Sequence, residues 1–242
     1  MNTLGGLRPS QIAGSGVLGY SALGRPKQRH PLVVGDPGRC PGHPTLTIAI
    51  FDDSGSVIAP AGNDPVSNRY AEAAAAFDAL ARRCRCGQCL AAVLHFDLVG
   101  GTGPLPLKRR VPHAVQRALA IPSNAAGCSL LGPSLGAAAR MVDGVPNVRS
   151  LTLVVFSDFQ LFDDDPERVL SDFAGFPGEV HAVVLGGSRD ITGLDPRITA
   201  TRLSSSDAPG ALGSALLRSL AQGRRGARMP PDSPEKGVTS LP

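Results

Sequence analysis

The stretch Ile48-Ala49-Ile50-Phe51-Asp52-Asp53-Ser54-Gly55-Ser56 carries an apolar run into an aspartate and two alternate hydroxyls. Carboxylate, hydroxyl and water oxygens are the ligands of a hard cation such as magnesium, manganese or calcium. Gly55 lets the backbone turn tightly enough for Ser54 and Ser56 to address one centre. The same residue types also make plain turns, so a metal site needs partners from elsewhere in the chain. A second chemistry is offered by Cys84-Arg85-Cys86-Gly87-Gln88-Cys89. With Cys40 or His43 as a fourth ligand, Cys84, Cys86 and Cys89 suit a structural zinc ion, although only the Cys-x-x-Cys half has the usual spacing. Buried, inert thiols are the simpler reading of the same cluster.

The elements that must position these groups alternate between short apolar strands and amphipathic helices. Residues 45–51 form a near-continuous apolar run, the pattern of a central strand buried on both faces. Asn63-Asp64-Pro65 is a helix start, followed by Tyr70, Ala73, Ala74, Phe77, Leu80 and Ala81 on one stripe and closed by Arg82-Arg83. Residues 90–96 predict a second strand, and the Gly/Pro-rich stretch 100–106 leads to a short third strand at an edge. Residues 112–119 predict a short helix, and Gly132-Pro133 opens a longer one. A β-branched fourth strand follows at 151–156. Asp163-Asp164-Asp165-Pro166 caps the next helix, strands follow at 180–185 and 198–203, and a last helix starts at Ser206-Asp207. Strands separated by helices of this length imply βαβ units, a mainly parallel sheet and helices on both of its faces.

In such sheets ligands bind beyond the carboxyl ends of the strands, near the point where strand order reverses. Asp52 lies at one such end, and Asp158, preceded by Ser157, lies at another. The loop 127–135 offers a further hydroxyl, Ser129, just before a helix. Two aspartates and three hydroxyls on one edge make an anionic crevice suited to a cation. Among the weaker features, Asp163-Asp164-Asp165 could extend that rim but reads first as a helix cap. Lys108-Arg109-Arg110 reads as a solvated loop, and Gly100-Gly101-Thr102-Gly103 lacks the Lys-Ser/Thr of a phosphate loop.

Composition removes several classes of function. A chain of 242 residues with 42% hydrophobic residues buries a substantial core, and with 4% aromatics and no Trp that core must be built of Ala, Val, Leu and Ile. The net charge of +4 resides in the ends: residues 1–44 carry five Lys/Arg against one acid, residues 223–242 carry four against two, and the middle is slightly acidic. A basic groove for nucleic acid is therefore not expected beyond non-specific contact by the tails. No apolar run is long enough to span a membrane and no export signal is legible, so the expected location is cytoplasmic, with five reduced cysteines. The expected organisation is a disordered basic tail over 1–44, one domain over 45–222 and a disordered tail over 223–242.

The trio Asp52-Asp53-Ser54-Gly55-Ser56, Gly127-Cys128-Ser129-Leu130-Leu131-Gly132-Pro133-Ser134-Leu135 and Val154-Val155-Phe156-Ser157-Asp158 resembles the three-part metal-ion-dependent adhesion site of von Willebrand factor A domains, of the bacterial intracellular type. The resemblance spans roughly residues 45–222. It implies a Rossmann-like, doubly wound, mainly parallel six-stranded sheet with one short antiparallel edge strand, and a single divalent cation, usually magnesium, at its top. It further implies that Ser54 and Ser56 coordinate directly, that Asp52 and Asp158 act mostly through bound waters, and that Ser129 stands where the family usually has Thr. Two positions depart from the pattern. Cys128 replaces the usual Gly before the hydroxyl, and Phe159 replaces the usual Gly after the last Asp, where it is expected to wall the pocket or touch a partner.

A site of this kind implies recognition over catalysis, with the metal bridging to an Asp or Glu of a partner protein. Related domains work beside ATPases or in multiprotein assemblies. The alternative is a magnesium-dependent hydrolase or phosphatase of the haloacid-dehalogenase type with Asp52 as nucleophile. That pattern wants a second Asp where Ser54 stands and a downstream catalytic Lys, and His30, His43, His95, His113 and His181 show no metal or triad spacing.

Overall fold

The computed structural model describes residues 34–59, 62–64, 69–96, 98, 100–122, 127–186, 194–204 and 207–229. Its elements run β1 (Thr45–Phe51), α1 (Gly55–Ile58), α2 (Arg69–Arg83), β2 (Cys89–His95), β3 (Thr102–Leu107), α3 (His113–Ala118), α4 (Gly132–Asp143), β4 (Ser150–Ser157), α5 (Pro166–Ala174), β5 (Glu179–Leu185), β6 (Thr199–Leu203) and α6 (Ala211–Ala221). The six strands form one sheet in the order β3-β2-β1-β4-β5-β6. All neighbours are parallel except β2 and β3. This is the doubly wound sheet with one antiparallel edge strand that the resemblance implies.

Alternation along β1 explains why it reads as a solid apolar run. Ala49 and Phe51 face one core, with Phe77 and Leu80 of α2, Val115 of α3 and Leu212, Leu216 and Leu220 of α6. Leu46, Ile48 and Ile50 face the other, with Leu135 and Ala138 of α4 and Phe173 of α5. Each large apolar side chain so buried contributes about 1.5–3 kcal/mol, which holds β1 and β4 rigidly in register. Phe51 lies opposite Phe156, their rings stacked at 4.7 Å. The strands that deliver Asp52 and Asp158 are thus fixed side by side at the reversal of strand order.

Several boundaries differ from the sequence reading for local reasons. β3 begins inside the stretch expected to lead into it, and it carries Pro104 and Pro106. Proline is tolerated there because an edge strand is paired on one side only. The last helix starts at Ala211 and not at Ser206-Asp207. Asp207 instead accepts from the Ser204 amide at 2.7 Å, and Gly210 turns the chain with φ +98; Ser206 is outside the described residues. Glu72, buried on α2, then accepts from the amides of Gly210 at 2.8 Å and Gly213 at 3.1 Å and so caps α6 from another helix. The start expected at Pro65 also lies outside the described residues. The short α1, which the sequence reading did not anticipate, follows directly on Ser54.

Most of the expected tails, 1–33 and 230–242, fall outside the described residues. The remainder of each packs on the domain. Val34 is buried, Asp36 and Arg228 pair as an antiparallel bridge, and the Arg39 amide donates to Arg225 O at 2.9 Å. No helix among the described residues is long and apolar enough to cross a membrane.

Candidate metal centre

The loop after β1 is held by its own aspartate. Asp52 Oδ1 accepts from the Ser54 amide at 2.8 Å, and Oδ2 accepts from Ser157 Oγ, at the end of β4, at 2.6 Å. The turn brings Ser54 Oγ and Ser56 Oγ to 3.0 Å. Adjacent oxygens of an octahedral magnesium shell, with bonds of 2.0–2.1 Å, stand about 2.9 Å apart. The two hydroxyls therefore already span one edge of such a shell.

The other two loops close on the same place. Asp158 accepts from the Gln160 amide through Oδ1 at 3.0 Å and from Asn63 Nδ2 through Oδ2 at 2.9 Å. Ser129 Oγ donates to Gln160 O at 2.6 Å, and Ser129 O accepts from the Phe162 amide at 2.9 Å, so the second loop is fastened to the third. A hydroxyl that donates its one proton keeps its lone pairs for a cation. Gly127 sits against the first loop: a Cβ there would lie 3.8 Å from Asp53 O. Asp52, Ser54, Ser129 and Asp158 are all buried, while Ser56 is partly open. Burial raises the Asp52 carboxyl above its ordinary value, hydrogen bonds from Ser157 and Ser54 oppose the rise, and the charge of Asp158 adds to it. A cation is the natural counterweight to two carboxylates held this close out of water.

Asp53 has a different job from its neighbours. It turns inward to Arg69 at 2.6 Å, to the Tyr70 hydroxyl and to His95 Nδ1 at 2.5 Å. His95 Nε2 donates to Ala118 O at 2.9 Å. The Arg69 guanidinium also lies over the Tyr70 ring at 4.9 Å. Burial opposes ionisation of Asp53, but His95, Arg69 and Tyr70 together hold its carboxyl below the usual range. Sequence reasoning placed Tyr70 on a packing stripe and found no role for His95, because nothing in one dimension shows residues 53, 69, 70 and 95 meeting under the loop. Asn63, read as a helix cap, likewise joins the centre through Asp158.

Phe159 corrects an expectation. It neither walls a pocket nor faces a partner: it is fully buried and packs on Phe173, with ring centroids 6.1 Å apart. Its φ of +56 shows why glycine is usual there. In this chain ring burial offsets a left-handed conformation that costs about 1–2 kcal/mol. Cys128 is exposed. The acidic run caps helices: Asp163 accepts from the Leu131 and Gly132 amides at 2.9 Å each, at the start of α4, and Asp165 accepts from the Arg168 amide at 3.0 Å. Lys108, Arg109 and Arg110 are exposed, as expected of a solvated loop. Cys84, Cys86 and Cys89 lie at the opposite end of the sheet, joined there by Cys40. His43 instead bonds Ser150 Oγ at 2.9 Å.

No family model and no curated protein matches the chain. Among solved structures, proximal thread matrix protein 1 from the mussel byssus matches at 15% identity and TM-score 0.49, over 74% of this chain and 48% of that one. An aerotolerance-related membrane protein from Bacteroides fragilis matches at 15% identity and TM-score 0.47, over 74% and 99% of the two chains. The SpRpn10 VWA domain matches at 12% identity and TM-score 0.42, over 73% and 96%. The chain thus spans about half the length of the mussel protein. The strand order, the antiparallel edge strand and the three loops gathered at the reversal point are those that the resemblance to von Willebrand factor A domains implies.

Proposed function

We propose that this protein is a divalent-cation-dependent protein-binding module, magnesium being the expected ion and manganese or calcium the alternatives. The observation that carries the reading is the 3.0 Å pair of Ser54 and Ser56 hydroxyls, set beside buried Asp52 and Asp158 and tied to Ser129 through Gln160. Ser54, Ser56 and Ser129 would hold the ion directly, and Asp52 and Asp158 would balance its charge. A divalent ion with few charged ligands supplies an electrophilic centre that an Asp or Glu of another protein completes.

The surroundings support docking. The two large apolar side chains exposed among the described residues, Leu98 at 41% and Phe162 at 77%, sit on the loops after β2 and β4. Both belong to the edge that carries the oxygen cluster. An aromatic beside a polar anchor is a common make-up for the centre of an interface. A nucleophilic role for Asp52 is disfavoured, because its side chain is fully buried and both of its oxygens accept hydrogen bonds. The partner is defined here by its chemistry, an acidic side chain flanked by an apolar contact. Membership of an ATPase-linked or other multiprotein assembly follows only from the family analogy.

The test is affinity capture with wild type and with Ser54→Ala/Ser56→Ala, each in magnesium and in chelator. Partners are expected with wild type in magnesium alone. Identical partner sets in all four arms would remove the metal-bridged mechanism. Magnesium-dependent phosphatase turnover lost in Asp52→Ala would favour the hydrolase instead.

A further inference from the structure

The four cysteines gathered at the far end of the sheet come from separate parts of the fold. Cys84 is at the C-terminal end of α2, its amide donating to Leu80 O and Ala81 O; Cys89 is the first residue of β2; Cys86 lies in the turn between them; Cys40 arrives from the segment before β1. All four sulfurs lie within 4.8 Å of one another. The Cys40–Cys84, Cys40–Cys89 and Cys84–Cys86 separations are 3.8, 3.7 and 3.6 Å. Zinc–sulfur bonds of about 2.3 Å in a tetrahedron place sulfurs about 3.8 Å apart. Three edges of that tetrahedron are therefore already drawn. The fourth measured edge, Cys40–Cys86 at 2.9 Å, is too short by about 0.9 Å for the same tetrahedron. Cys86 is exposed and has room to swing outward.

We propose that Cys40, Cys84, Cys86 and Cys89 form a structural tetrathiolate zinc site, distinct from the oxygen centre at the other end of β1. Across the seven residues of β1 the two sites stand about 20 Å apart. Their chemistries separate as cleanly as their positions, since soft thiolates select zinc and hard oxygens select magnesium. Four ligands and no substrate-facing position mark a closed site, which stabilises the fold and performs no reaction.

Features around the sulfurs suit thiolates. The Gln88 amide donates to Cys86 Sγ at 3.3 Å, across Gly87 at φ +73, so the Cys86-Gly87-Gln88-Cys89 turn aims one sulfur with a backbone hydrogen bond. Arg39 and Arg85 adjoin the cysteines in the sequence, and the Lys108 side chain passes beside Gly87 in the same turn.

The consequence is mechanical. Cys40 ends the segment that begins with buried Val34 and pairs through Asp36 with Arg228. A zinc ion would staple that segment, and through it residues 225–228, to the start of β1 and β2.

Elemental analysis of the full chain purified without chelator tests the assignment. About one zinc per chain is expected, released by a mercurial thiol reagent, kept in Ser54→Ala/Ser56→Ala and lost or weakened in Cys86→Ser and Cys40→Ser. Cobalt replacement should give a thiolate-to-cobalt charge-transfer band, and zinc extraction should speed tryptic cleavage after the exposed Arg39. The assignment is overturned by metal-free protein with every thiol titratable and no charge-transfer band. It is equally overturned by a mass two hydrogens light from a Cys40–Cys86 disulfide, by iron in place of zinc, or by zinc lost from the serine variant and kept in Cys86→Ser. The wild-type and cobalt measurements stand even where a cysteine variant does not fold.

Discussion

Asp53 sits between two residues of the oxygen centre yet faces the opposite way, into a contact with buried Arg69 and His95 and half-buried Tyr70. Its neighbours belong to the oxygen cluster proposed to hold a cation, while Asp53 anchors the loop that carries them. Removing one member of a buried ion pair costs up to about 3–5 kcal/mol, and without Arg69 the Asp53 carboxylate keeps only His95 and Tyr70. Arg69→Ala is therefore expected to lower the urea midpoint by a stability loss of that size and to weaken cation binding, because the anchored turn loosens. An unchanged midpoint would show that the pair does not anchor the loop. Phe159 illustrates the same point in reverse: a departure that looks functional in the sequence is a packing solution, a ring buried on Phe173 in exchange for a strained backbone. The oxygen cluster is legible as a cluster because its residue types and spacing sit at strand ends. Asn63, Arg69 and His95 were not, because their partners lie 95, 16 and 42 residues away.

At the scale of elements, capping across the fold decides where helices begin. Glu72 of α2 binds the first amides of α6, and Asp163 binds those of α4, so each helix start depends on a residue from a different segment. A local reading of Ser206-Asp207 as the start of the last helix misses this. The close approach also explains two glycines: a Cβ at Gly213 would meet Glu72 O at 2.9 Å, and one at Gly132 would meet Asp163 Oδ1 at 2.9 Å. Glu72→Ala leaves buried amides without their acceptor and is expected to cost about 1–3 kcal/mol. Thermal unfolding should register the loss, with amide exchange speeding up first at the N-terminus of α6. Uniform exchange through α2 and α6 would argue against a capping role.

For the whole molecule, the parallel sheet separates two side-chain clusters by the length of β1, oxygens at its carboxyl end and sulfurs at its start. Stability should also respond to pH through His181, which is buried on β5. Burial lowers the pKa of its imidazole against the opposing effects of Glu179 and Gln222. A histidine depressed in the folded state contributes fully above its unfolded value of about 6.5, and that contribution is lost as pH falls below it toward the folded value. Unfolding midpoints measured from pH 8 to 5 should decline more steeply for wild type than for His181→Gln; parallel curves would assign the dependence elsewhere. Alternating apolar runs determined the six strands, their order of appearance and the helical layers, since burial periodicity is a property of neighbouring residues. The types and spacing around Asp52, Ser129 and Asp158 likewise pointed to oxygens gathered at one sheet edge. Only the tertiary structure decided which distant groups meet: Asp53 with His95, Glu72 with α6, and Cys40 with the three thiols between the end of α2 and the start of β2. Those contacts join residues far apart in the chain, and no local pattern encodes the distance between them.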